Sequence, residues 1–153
     1  MGKKKDDRRY DAFSMFVHAR ACWKSAALLG RRRYRYTQTI LESFSLEIFL
    51  KCIHRVRRRA VPGGHDVRDL FDRLSKADRR QIEKLFNVRV QQSRTCRDMS
   101  KHGYVFDITS TFERIDGMFM KLRYPYENQE LSKDQYGNEG NAGLSELIAA
   151  CSA

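Results

Sequence analysis

Proline is nearly missing from this chain, at 2 residues in 153. It removes a backbone donor and clashes with the preceding helical turn, so its scarcity leaves long helices uninterrupted. Cysteine is sparse and unpaired. Cys22, Cys52, Cys96 and Cys151 stand far apart, a spacing that argues against a zinc knuckle or a disulfide framework and for reduced thiols inside a cell. His18, His54, His65 and His102 are equally scattered, and neither a metal nor a cofactor is expected. No apolar run approaches the roughly 20 residues of a membrane-spanning helix. The N-terminus is basic without an apolar signal-peptide core, and although it reads Met1-Gly2 it has Asp6 where a myristoylation signal needs Ser or Thr. The expected location is the cytoplasm, away from membrane.

Negative charge is also in short supply. Asp and Glu number 19 against 30 Lys and Arg, a formal net charge of +11, with a pI ≈ 9.8. The excess is blocky: Lys3-Lys4-Lys5, Arg8-Arg9, Arg31-Arg32-Arg33 and Arg57-Arg58-Arg59. Such clusters concentrate phosphate and bind nucleic acid in a salt-sensitive way. Arg31, Arg32, Arg33, Arg57, Arg58 and Arg59 are therefore the candidate nucleic-acid contacts, with RNA as the partner. The plainer alternative is a solvated helix surface whose cations complement negative helix C-termini.

What the chain does have is apolar residues at helical spacing, which predicts an all-α fold in a single domain. Residues 1–9 read as a basic, flexible N-terminus, 10–127 as the helical domain, and 128–153 as a flexible tail with a short helix at 144–151. Within the domain, a first helix over 10–29 is expected to bury Phe13, Phe16, Val17, Trp23, Ala27 and Leu28. A second, over 37–59, carries the stripe Ile40, Leu41, Phe44, Ile48, Cys52 and Val56, and Glu47 pairs with Lys51 at i,i+4. Pro62-Gly63-Gly64 stops it. Asp66 caps a short third helix with Val67, Leu70, Phe71 and Leu74 inward, and Ser75 with Asp78 starts a fourth, which runs to about residue 90 with Ile82, Leu85 and Phe86 inward. A polar stretch over 91–105 precedes a fifth helix over 107–122 that buries Ile108, Phe112, Ile115, Phe119 and Leu122.

The polar stretch holds Arg97-Asp98-Met99-Ser100-Lys101-His102-Gly103-Tyr104. Arg clamps phosphate with a planar fork of donors, and His moves a proton near neutral pH. Arg97 and His102 are the candidate catalytic pair, with Asp98 and Tyr104 in support. The reaction would be attack of an RNA 2′-hydroxyl on its neighbouring phosphate, His102 transferring the proton and Arg97 stabilising the charge that grows on the phosphate oxygens. Asp98 either orients one of the pair or serves as a turn or cap. Arg59 and His65 make a second match to an Arg followed by His after four to six residues, so spacing alone carries little weight.

Three further signals stand in order. Ser45-Leu46-Glu47-Ile48-Phe49-Leu50-Lys51 lies in the second helix, Gly64-His65-Asp66-Val67-Arg68-Asp69-Leu70 opens the third, and Arg123-Tyr124-Pro125 follows the fifth. Together they resemble the HEPN superfamily over roughly residues 40 to 128. The resemblance implies an up-and-down bundle of about five helices that pairs into a homodimer. It also implies metal-independent endoribonuclease activity of the kind found in toxin–antitoxin, phage-defence and RNA-processing systems. The family signature is an Arg, a polar residue, a few more residues and a His, set across a groove at the dimer interface. Arg97-Asp98 through His102 fits it, whereas Arg59 is followed by Ala60. In one toxin branch a Tyr two residues beyond the His is adenylylated by a nucleotidyltransferase antitoxin, and Tyr104 has that place. The Arg-Tyr-Pro position offers Arg123 and Glu127 as a phosphate pocket; alternatively Pro125 simply ends the helix and Tyr124 packs beneath the bundle. The Arg-Tyr-Pro branch often lacks the catalytic signature, so the second function implied is a silent module for dimerisation and binding of nucleotide or a partner protein. On its plainer reading His65 is a hydrogen bonder at a helix start.

Overall fold

The computed structural model describes residues 11–31, 34–57, 60–115 and 143–153. They form an all-α bundle: α1 (Ala12–Arg31), α2 (Arg35–Val56), α3 (Val67–Asp72), α4 (Lys76–Gln92), α5 (Arg94–Ser100), α6 (Ile108–Ile115) and α7 (Leu144–Cys151).

The long helices α1 and α2 run antiparallel. Cys52 Sγ donates to Ala12 O at 3.1 Å, Phe16 packs edge-on to Phe49, and Ser45 Oγ donates to Ala19 O at 2.8 Å. Partner numbers fall along α2 as they rise along α1. The seam on α1 centres on small residues, with larger ones at its edge. Ala19 and Ala26 are fully buried, Met15 nearly so, and Ala12, Phe16 and Trp23 pack against the core from its edge. The expected stripe is corrected by this rotation: Phe13, Val17 and Leu28 are 75%, 49% and 60% exposed, and Ala27 is exposed too. Close approach of two helix backbones requires small side chains at the contact, and that requirement outranks the pull of the largest apolar residues.

Helix α2 is enclosed by α1, α3 and α7, so it buries more than one stripe. Leu46, Ile48, Phe49, Leu50 and Cys52 are buried, but so are Thr39, Glu42, Ser43, Ser45, Glu47 and His54. Of its expected stripe, Ile48 and Cys52 are buried, Ile40, Leu41 and Phe44 are half-buried, and Val56 is exposed. The helix begins ahead of its expected start and ends at Val56 with Arg57 as its cap.

Local capping signals place the next elements. Asp66 accepts from the Asp69 amide at 2.9 Å to start α3, and Ser75 accepts from the Asp78 amide at 3.1 Å to start α4. Such caps satisfy backbone donors left open at a helix N-terminus. Val67, Leu70, Phe71, Leu74, Ile82 and Phe86 are buried as expected, with Leu85 at the core edge. The Asp107 side chain accepts from the Ser110 amide at 2.8 Å at the start of α6. Ile108 lies at the core edge, and Phe112 and Ile115 are buried. The rest of the expected fifth helix, with Phe119 and Leu122, lies outside the described residues.

Residues 144–151, expected as a short helix in the tail, do form a helix, and it is a core element. Leu144, Leu147 and Ile148 are fully buried, and α7 packs against α2 and α4. Full burial stabilises each such side chain by about 1.5–3 kcal/mol. Gly143 precedes the helix at φ +91°, and a Cβ there would meet Thr111 Oγ1 at 3.3 Å. Only glycine suits both the dihedral and the close approach.

Candidate functional site

The Arg97 motif occupies α5 and the turn that ends it. Ser93 caps the helix by accepting from the Cys96 amide at 3.3 Å, and the Cys96 side chain, 1% exposed, anchors it to the bundle. At the other end Tyr104 N donates to Met99 O at 3.3 Å and Gly103 N to Ser100 O at 3.1 Å, with Gly103 at φ +87°. This paired closure around a left-handed glycine is a Schellman stop. The part of the polar stretch that holds the motif is therefore a capped helix with a fixed end.

Arg97 and His102 are both exposed, and neither side chain hydrogen-bonds another described residue. Arg97 lies within α5, whereas His102 lies past its last residue, in the turn where His102 N donates to Met99 O at 2.9 Å. Asp98 stands one turn before His102 yet bonds elsewhere: Lys101 Nζ donates to it at 2.9 Å, and Arg94 lies at 3.7 Å. The Lys101 hydrogen bond and charge hold the Asp98 carboxyl below its ordinary value. Asp98 thus secures the surface of α5 and does not orient His102. Tyr104 is half-buried at the stop.

A different histidine meets a carboxylate. Glu47, only 3% exposed on α2, accepts from Lys51 Nζ at 2.7 Å and from His65 Nδ1 at 3.0 Å, both through Oε1. Oε2 lies 3.2 Å from the same ring nitrogen. Lys51 follows from helical i,i+4 spacing. His65 arrives from the Gly63-Gly64 turn, where Gly64 takes φ +90°. Two of the three family-like segments thus converge on one buried carboxylate. The available signal was a charged residue embedded in the apolar run Leu46 to Leu50.

Of the nominated basic residues, Arg57 is the one whose side chain is described. Its Nη2 and Nε both reach Asp78 Oδ1, at 2.6 and 3.0 Å, while Ser75 Oγ donates to Asp78 Oδ2 at 2.6 Å. Arg57 therefore ties the end of α2 to the start of α4, with a guanidinium that remains 59% exposed. Arg31 closes α1. Arg32, Arg33, Arg58, Arg59, Arg123 and Glu127 lie outside the described residues.

Among the described residues no group of three or more His, Cys, Asp or Glu side chains is placed to hold a metal ion, and no helix is long and apolar enough to cross a membrane. No family model, curated protein or solved structure matches the chain.

Proposed function

We propose that this protein is a HEPN-type, metal-independent endoribonuclease of a toxin or defence system, acting as a homodimer on RNA. The observation that carries the reading is α5: a helix capped at both ends and anchored by Cys96 that presents a guanidinium and, at its end, an imidazole, neither hydrogen-bonded by its side chain to another described residue, on a chain of net charge +11. The site is composite in this reading, each copy contributing one half across a two-fold axis. His102 of one copy then takes the 2′-hydroxyl proton while His102 of the other protonates the leaving 5′-oxygen, and Arg97 stabilises the charge on the phosphate between them. Tyr104 at the fixed end of α5 is the position at which a nucleotidyltransferase partner silences the enzyme.

The test is cleavage of an RNA oligonucleotide in excess chelator. His102→Ala and Arg97→Ala each lower the rate by roughly 10²–10⁴-fold, the ordinary worth of acid–base and electrostatic help, while the circular dichroism spectrum is unchanged because both side chains are exposed. Products carry 2′,3′-cyclic phosphate. Full activity in His102→Ala refutes the assignment. A protein that binds RNA or nucleotide but cuts nothing is the silent module instead, a reading favoured by the diversion of Asp98 to Lys101.

A further inference from the structure

Four histidines have distinct surroundings in this fold. His54 is buried with Nε2 3.0 Å from Leu70 O. His18 lies edge-on to Phe44, ring centroids 6.0 Å apart. His102 is exposed on the stop of α5 without a side-chain hydrogen bond to a described residue. Among the described residues it is His65 that is held by a carboxylate, through the contacts of its Nδ1 with Glu47.

We infer that Glu47 and His65 form a second proton-transfer site, one that acts on phosphodiesters beside the Lys51 ammonium. A carboxylate only accepts, so Nδ1 carries its hydrogen and Nε2 is the basic nitrogen of the neutral ring. That tautomer is what a general base needs, and a buried carboxylate fixes both it and the ring plane. The Glu47 side chain is 4% exposed, while the His65 side chain is 51% exposed. The orienting group is thus rigid and shielded while the ring it orients can be reached by substrate. Lys51, 17% exposed, supplies a cation beside the pair, and the basic balance of the chain favours an anionic substrate. Glu47 is a positioning residue, and His65 is the group that meets the substrate.

The step is the one chemistry RNA offers a lone base. His65 Nε2 takes the 2′-hydroxyl proton as the 2′-oxygen bonds to phosphorus, the bond from phosphorus to the 5′-oxygen breaks, and the departing oxygen takes a proton from water. His65 returns its proton to solvent, and nothing is oxidised or reduced. The substrate class is that of the proposed function, but the residues are different, so each can fail without the other.

The experiment compares the full chain with His65→Ala, Glu47→Gln and His102→Ala on one RNA oligonucleotide in excess chelator. His65→Ala keeps its fold because the ring is half exposed, and it loses about 10²-fold or more in rate. Glu47→Gln slows cleavage and displaces the pH–rate profile, which removal of a merely structural hydrogen bond does not do. A readout apart from turnover is the imidazole NMR spectrum of histidine-labelled protein, in which cytidine 3′-monophosphate shifts the His65 resonances. Cleavage unchanged in His65→Ala overturns this site whatever His102→Ala does, and so does an unmoved His65 resonance. Cleavage lost in His65→Ala but kept in His102→Ala supports it and overturns the α5 assignment. Loss in both variants supports both, and an unmutated protein that cuts no RNA overturns both.

Discussion

Glu42→Gln isolates the cost of a carboxyl group buried in the middle of the bundle. Glu42 is 1% exposed on α2. Its Oε1 accepts from Gln38 Nε2 and from Ser145 Oγ of α7, each at 3.0 Å. Oε2 has no hydrogen-bond partner among the described residues. Burial pushes the Glu42 carboxyl above its ordinary value, the hydrogen bonds from Gln38 and Ser145 pull against that, and the like charge of Glu146 adds to the rise. A folded-state value raised in this way means that the native protein binds the proton more tightly than the unfolded chain. Stability is therefore greatest below the ordinary value of 4.5 and falls as pH rises from there through the folded value. An unpartnered buried polar atom costs about 1–3 kcal/mol and a charged one more, partly offset here by the two bonds on Oε1. Glutamine keeps an acceptor for Gln38 and Ser145, removes the charge, and leaves an amide in the unpartnered place. Urea unfolding followed by circular dichroism then finds the two proteins within ~1 kcal/mol near pH 4, and the variant ahead by about 1–3 kcal/mol near pH 8. Self-repulsion of the basic chain acts on both and cancels in the difference. Parallel stability curves across that range would refute the reasoning.

Two further outcomes test the packing and the charge. Leu147→Ala, which empties a fully buried position on α7, lowers unfolding free energy by about 2–5 kcal/mol; a loss below ~1 kcal/mol in urea titration would mean that α7 is dispensable to the core. Neutralising Arg31, Arg32 and Arg33 together flattens the plot of log RNA affinity against log salt by up to ~0.7–0.9 for each phosphate that the block had neutralised, read by fluorescence anisotropy. An unchanged slope assigns that block to the C-terminal end of α1 and to solubility.

Signals that act within one turn of helix were legible in the sequence. Asp66, Ser75 and the spacing of Val67, Leu70, Phe71 and Leu74 depend only on neighbours, and the structure places them as read. The end of the chain was legible as a helix but not as core, because Leu144, Leu147 and Ile148 describe an apolar face without saying what covers it. The face of α1 was misread for a related reason. Phe13, Val17 and Leu28 are strongly apolar, but the inward face was set by what α2 requires of its neighbour, and Ser45 bonding to Ala19 O requires a small residue there. Helix α2 was hardest, since a helix buried on most sides loses the amphipathic period that reveals orientation.

The candidate sites divide along the same line. Arg97 and His102 are visible as residue types in one short motif, and the structure sets both at the surface, one within α5 and one in the turn that ends it. Glu47 and His65 are the reverse case. They lie in separate segments, joined only because Pro62-Gly63-Gly64 turns the chain back and Gly64 adopts φ +90°. Each residue has a plain local role there, an i,i+4 pair for Glu47 and a helix start for His65, and both roles are true. What the fold adds is that Lys51 and His65 share the Glu47 carboxylate. A short-range motif therefore names the residues of the α5 proposal, while the Glu47–His65 contact is specified by a glycine turn and a buried charge.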